Sequence, residues 1–214
     1  MRGNHTKSDE REIMNIRKEF PTADNSSNMN GFGQTEIAST LDALKASVAG
    51  ETGASAKYAG YAEAADAAGF PQVAKLFRAA SAAEQVHIGM EAALVEAEEP
   101  DYVRPTAGAA DPLPVDLMLI DAANGEIHET SDMYPAFIAK AKEEGNDKAV
   151  KVFTKAKLAE SVHAEKYLEA YNNLDAADDD NYYLCPFCGY IHKGAEAPEV
   201  CPICGAKKAA FKEF

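Results

Sequence analysis

Four segments of this chain carry apolar stripes at helical spacing, and glutamate interrupts each stripe near its middle. Residues three and four apart share one face of a helix. On that basis the first segment reads Leu41, Leu44, Val48, Glu51, Ser55, Tyr58, Ala62, and the second reads Val73, Phe77, Ala80, Glu84, His87. The third reads Leu119, Ala122, Glu126, Glu129, Met133, and the fourth Phe153, Ala156, Glu160, His163, Tyr167. A buried carboxylate is costly unless it is paired. Lysine and arginine are largely absent from these faces, so five converging glutamates need cations from outside the chain. Oxygen donors combined with imidazole suit iron or manganese.

The spacing sharpens this reading. Glu84-Gln-Val-His87 and Glu160-Ser-Val-His163 are two Glu-x-x-His pairs, so each helix points one carboxylate and one imidazole the same way. Glu51 precedes the first pair by 33 residues and Glu126 precedes the second by 34, so the chain repeats itself. One Glu from each of two helices plus Glu-x-x-His from two others is the ligand pattern of di-iron carboxylate bundles. Glu129 is surplus to that pattern. It is either a seventh ligand to the metal pair or a hydrogen-bonding neighbour of it.

The boundaries predict an all-α four-helix bundle. Helix one is expected over 35–68, stopped by Gly69 and Pro71. Helix two is expected over 71–97, helix three over 114–145 with a bend at Pro135, and helix four over 147–174. Residues 99–113, with Pro100, Pro105, Gly108 and Pro112, form a long crossing connection. Short, long and short connections give the ferritin-like topology with one long crossover. The bundle is thus assigned to 35–174, preceded by a polar, flexible extension over 1–34 with a possible short helix over 8–19. An acidic linker follows over 175–181.

All four cysteines lie in the last segment, 182–214. Cys185-Pro-Phe-Cys188-Gly and Cys201-Pro-Ile-Cys204-Gly make two knuckles, with twelve residues between Cys188 and Cys201. Such a short segment needs a metal to fold. Iron and zinc both accept four thiolates, and the spacing alone does not choose between them. Tyr190 and Phe211 offer an apolar cover. A net charge of −14 argues against nucleic acid and against anionic membranes. No secretory leader and no span of roughly 18 apolar residues is visible, so a soluble, cytoplasmic protein is expected.

Taken together, Gly50-Glu51 with Tyr58, Glu84-x-x-His87, Gly125-Glu126-Ile-His-Glu129 with Met133-Tyr134-Pro135, Glu160-x-x-His163 and the cysteine knuckles resemble the rubrerythrin family over residues 35–214. The resemblance implies a ferritin-like di-iron domain joined to a rubredoxin-like domain. It implies a non-haem peroxidase of oxidative stress defence, which reduces hydrogen peroxide to water with electrons relayed through the rubredoxin-type iron. Those electrons would come from NAD(P)H by way of a carrier such as a rubredoxin or a rubredoxin reductase.

Carried over by position, Glu84 and Glu160 are bridging carboxylates. Glu126 and His163 serve one iron and Glu51 the other, which exchanges Glu129 for His87 on reduction. Tyr58 and Tyr134 hydrogen-bond beside the ligands, and with Glu129 and His87 they make up the expected catalytic set. Cys185, Cys188, Cys201 and Cys204 would hold one iron, zinc being the substitute in a purified sample. His128 falls on a neighbouring face, His192 in a loop and His5 in the extension, and none is expected to bind metal. The resemblance also implies a homodimer, or a higher homo-oligomer, in which one chain's cysteine domain lies beside another chain's di-iron site. The rival reading is a ferritin-like iron-oxidising or iron-storage protein, against which the appended cysteine domain argues. A zinc-ribbon interaction module is a third reading, weakened by the acidic charge.

Overall fold

The computed structural model describes residues 35–214 except 175, 177 and 178. The expected extension over 1–34, its short helix and part of the acidic linker lie outside the described residues. Helix α1 spans Thr40–Ala67 and α2 spans Pro71–Glu98. Ser39 caps α1 by accepting the Asp42 backbone N–H at 3.0 Å. Pro71 opens α2 at a position whose N–H has no helical partner in any case. No element forms over 101–114, the long crossover. Helix α3 spans Val115–His128, α4 spans Tyr134–Glu143 and α5 spans Asp147–Asn172. Asn146 caps α5 through the Ala149 N–H.

The third expected helix is therefore two helices joined by a π-helical turn, Glu129–Met133. Pro135 has no N–H and cannot bond the carbonyl one α-turn behind it. The Tyr134 N–H reaches back five residues to the Glu129 carbonyl instead. Single π turns of this kind cluster at functional sites, and this one begins at the surplus glutamate.

Helices α1 and α2 pack side by side, and α3 and α4 pack along α5. Tyr58, Phe77, Leu119 and Tyr167 fill one half of the core, while Leu44, Phe137 and Phe153 fill the other. The carboxylates sit between these halves. This is the ferritin-like bundle with one long crossover. No helix among the described residues is long and apolar enough to cross a membrane.

The remaining residues form a three-stranded antiparallel sheet, β1 Asn181–Leu184, β2 Ile191–Gly194 and β3 Lys212–Glu213, in the order β2-β1-β3. The first strand begins at Asn181, the last residue assigned to the linker. His192 lies in β2, paired with Tyr183, and is not the loop residue expected from sequence. Tyr182, Leu184 and Ile191 join the apolar cluster of the bundle. Lys75 on α2 donates to Asn181 at 2.6 Å and Lys193 pairs with Glu169 on α5 at 3.4 Å. The cysteine module thus rests on its own chain's bundle.

Candidate metal centres

Glu51 comes from α1, Glu84 and His87 from α2, Glu126 from α3, and Glu160 and His163 from α5. Ligand atoms of Glu51, Glu84, His87 and Glu160 lie within 4.8 Å of one another, and so do those of Glu84, Glu126, Glu160 and His163. Glu84 and Glu160 belong to both groups, so two four-ligand clusters share two carboxylates. All six side chains are buried.

The chemistry of the donors asks for cations. Glu51 Oε2, Glu84 Oε1 and Glu126 Oε2 are buried without a hydrogen-bond partner. Burial and the charges of Glu129 and Glu160 push Glu51 well above its ordinary value, and burial with Glu160 and Glu84 does the same to Glu126. Burial alone would raise Glu160 as well, but His87 and His163 hold it below its ordinary value.

The histidines are oriented from behind. His87 Nε2 lies 3.1 Å from the Cys188 carbonyl and His163 Nε2 lies 2.8 Å from the Gly189 carbonyl. A carbonyl only accepts, so each Nε2 carries the hydrogen, and the neutral ring then turns a lone pair on Nδ1 toward the carboxylates. His87 Nδ1 is 2.5 Å from Glu160 Oε1, and His163 Nδ1 is 2.6 Å from Glu160 Oε2. Lone pairs do not meet at that distance without a proton or a metal ion between them. Hydrogen-bonding the far nitrogen of a ligating histidine is how proteins fix its tautomer and aim. The clusters therefore fit a pair of metal ions, and the donor set suits iron.

Glu129 stands outside both clusters, partly buried at the first residue of the π turn, and burial followed by Glu160 and Glu84 raises its carboxyl. Tyr58 donates to Glu126 at 2.6 Å and Tyr134 donates to Glu51. His128 is exposed on another face, within 3.8 Å of Asp132. Sequence reasoning missed Glu91. It is fully buried on α2, its Oε1 lies 3.0 Å from the Tyr134 hydroxyl, and burial pushes it up to about 7. The signal was present, because Glu91 continues the Glu84–His87 stripe by four residues. The two carbonyls behind the histidines were also missed, and backbone groups leave no mark in a sequence.

In the cysteine module, Cys185 Sγ lies 3.4 Å from Cys204 Sγ and Cys188 Sγ 3.6 Å from Cys201 Sγ. Four thiolates about 2.3 Å from a common ion stand close to these separations, and no disulfide joins them. Burial pushes the Cys185 thiol up to about 12 and the Cys188 thiol higher still, so an ion is needed to hold them as thiolates. Gly189 and Gly205 close the knuckles at φ of 78°. A Cβ on Gly189 would collide with the His87 ring, whereas one on Gly205 would meet nothing within 4 Å.

The model of the family described as Rubrerythrin matches residues 42–171, and that of the rubrerythrin rubredoxin-like domain matches 183–212. The chain belongs to the rubrerythrin family. It is 57% identical to nigerythrin of Nitratidesulfovibrio vulgaris over 94% of this chain and 100% of that one. It is 32% identical to rubrerythrin of the same organism over 77% of this chain and 88% of that one. A solved structure of nigerythrin in a fully reduced, all-ferrous state superposes with a TM-score of 0.85 at 59% identity, over 91% of this chain and 96% of that one. In this rubrerythrin the cysteine knuckle lies on the bundle site of its own chain.

Proposed function

We propose that this chain is a non-haem di-iron peroxidase that reduces hydrogen peroxide to two waters with two electrons and two protons. The observation that carries this reading is the pair of hydrogen bonds from His87 and His163 to the Cys188 and Gly189 carbonyls. They connect the two candidate iron sites through one peptide segment and one imidazole each. A storage protein has no use for a one-electron site held against its carboxylate cluster, so the ferritin-like alternative has no comparable support.

When bound, the iron pair supplies the electrons that break the O–O bond of peroxide. The side chains provide the setting. Glu84 and Glu160 are shared by the two clusters and suit bridging. Glu126 and His163 would hold one ion, and Glu51 with His87 the other. Tyr58 and Tyr134 each hold one oxygen of a terminal carboxylate, leaving its second oxygen for metal. His87 stands inside its cluster and Glu129 outside, which suits the less charged diferrous pair. Glu129, being anionic, would suit a more highly charged, oxidised pair, and neutral His87 a reduced one. Glu129 opens the π turn, just past the end of α3.

Electrons would reach the cysteine iron from NAD(P)H through a rubredoxin or a rubredoxin reductase, in a homodimer or a higher homo-oligomer. The test is turnover with NADH, rubredoxin reductase and rubredoxin in the absence of oxygen. The reading predicts one NADH oxidised per peroxide. Rapid ferrous oxidation with growth of a mineral core, and no NADH-linked peroxide loss, would favour storage instead.

A further inference from the structure

Tyr134 does more hydrogen bonding than one hydroxyl allows. Its oxygen is approached by Glu51 Oε1, by Glu91 Oε1 at 3.0 Å and by Ser47 Oγ at 3.2 Å. Tyr134 brings one hydrogen to this group. If that hydrogen points at Glu51, a candidate ligand, then the Glu91 contact must be made with a hydrogen from Glu91, because two bare oxygens would repel. If it points at Glu91, Glu51 loses its donor. The second oxygen of Glu91 is buried without a partner, and Glu91 belongs to neither metal cluster. Ser47, one turn before Glu51 on α1, also hydrogen-bonds Glu91 and completes the ring of groups around the phenol.

We infer that Glu91 is a positioning residue for the metal site, donating to the Tyr134 oxygen and so directing the Tyr134 hydrogen onto Glu51. It belongs to neither cluster and acts through the tyrosine. The order of donation is Glu91 to Tyr134 to Glu51. Glu51 Oε1 is then held in one orientation and Oε2, which has no other partner, faces the site. Outer groups that orient ligands in this way commonly change metal affinity by about 10- to 100-fold when removed.

The inference rests on Glu51 being a ligand, so the test reads metal binding and not turnover. Metal-free protein is titrated with cobalt(II). Its weak visible bands report the carboxylate site and its thiolate charge-transfer bands report the cysteines. Glu91→Leu should weaken binding at the carboxylate site by about 10-fold and leave the cysteine site unchanged. Glu91→Gln retains a donor of the same shape and should bind within about 3-fold of wild type, on the same reasoning. In a Tyr134→Phe background, Glu91→Leu should add nothing further, because the effect passes through the phenol.

Three results would each overturn the inference. Glu91→Gln could bind as weakly as Glu91→Leu, the two losses could add in the double variant, or the Glu91 variants could lose a whole equivalent of bound cobalt. The last result would make Glu91 a ligand. A protein that gives the expected affinities but does not reduce peroxide would count against the peroxidase reading alone.

Discussion

In the bundle, Glu51, Glu84, Glu91, Glu126 and Glu160 are buried inside a core that Leu44, Phe77, Leu119, Phe153 and Tyr167 hold together on either side. In the cysteine module, the buried cluster around the knuckles is the ligand set itself, Cys185, Cys188 and Cys201, with Tyr190, Ile203 and Phe211 packed against it. The bundle therefore folds in spite of its metal site, and the module folds because of it. A metal ion relieves repulsion among the glutamates in one region. In the other it supplies the cross-link that a segment this small cannot replace with apolar area. The same removal should have opposite structural outcomes in the two regions.

The largest expected effect is in the module. Cys201→Ser should abolish the thiolate-to-iron colour and expose the β1–β3 amides to fast hydrogen exchange, with the bundle amides still protected. Protected strands in a colourless variant would show that the sheet stands without its metal. Glu160→Ala should remove metal from the bundle, because Glu160 belongs to both clusters. The helical circular dichroism should persist and the cysteine iron should stay bound. Full occupancy of the bundle in that variant would contradict the shared role of Glu160.

A smaller effect separates the module's own fold from its seat on the bundle. Gly189 and Gly205 have the same φ of 78°, but an added Cβ reaches His87 from Gly189 and nothing from Gly205. Gly205→Ala should cost only the left-handed backbone penalty, about 1–2 kcal/mol. Gly189→Ala carries that penalty and also displaces the knuckle from the histidines, slowing reoxidation of the cysteine iron by about 10-fold or more. Equal slowing in the two variants would remove the contact from the account.

The smallest effect is on pH dependence. In metal-free protein the raised carboxyls of Glu51, Glu126 and Glu129 stabilise the fold while neutral, and so does Glu91, pushed from 4.5 to about 7. The Glu91 contribution is fully present below about pH 4.5 and fades as the pH rises through about 7. The raised His87 and His163 lose their contribution in the same direction. Glu160 works the other way, but it is pulled below its ordinary value, so its change is confined to more acidic pH. The Tm of the metal-free bundle should fall by several degrees between about pH 5 and 8, at roughly 2–4 °C per kcal/mol. The metal-loaded protein should not follow, because its ligands are already ionised. Parallel Tm curves for the two forms would contradict this.

The six clustered carboxylate and imidazole side chains and the four cysteines were legible because both motifs are local. A 3.6-residue period places Glu84 beside His87, and the knuckle spacing places Cys185 beside Cys188. Glu91 was missed because the stripe on α2 was followed only as far as the histidine. The π turn was not legible, since Pro135 marks an adjustment of the helix but a kink and a wider turn both answer its missing N–H. The seating of the knuckle on His87 and His163 depends on carbonyl groups about 100 and 26 residues away, and every residue has a carbonyl. Gly189 is visible in the sequence only as part of the knuckle motif, and the room it leaves for an imidazole appears only when the two domains are together.

The most direct test of the account is whether the cysteine iron answers to peroxide through the bundle. Protein reduced at both sites, and colourless, is mixed with peroxide in a stopped-flow instrument, and the thiolate-to-ferric absorption is followed. Colour should return at least as fast as steady-state turnover in wild type, and Glu160→Ala should stay bleached on that time scale. If peroxide is consumed while the cysteine iron stays colourless, or if Glu160→Ala recolours as fast as wild type, the relay is wrong.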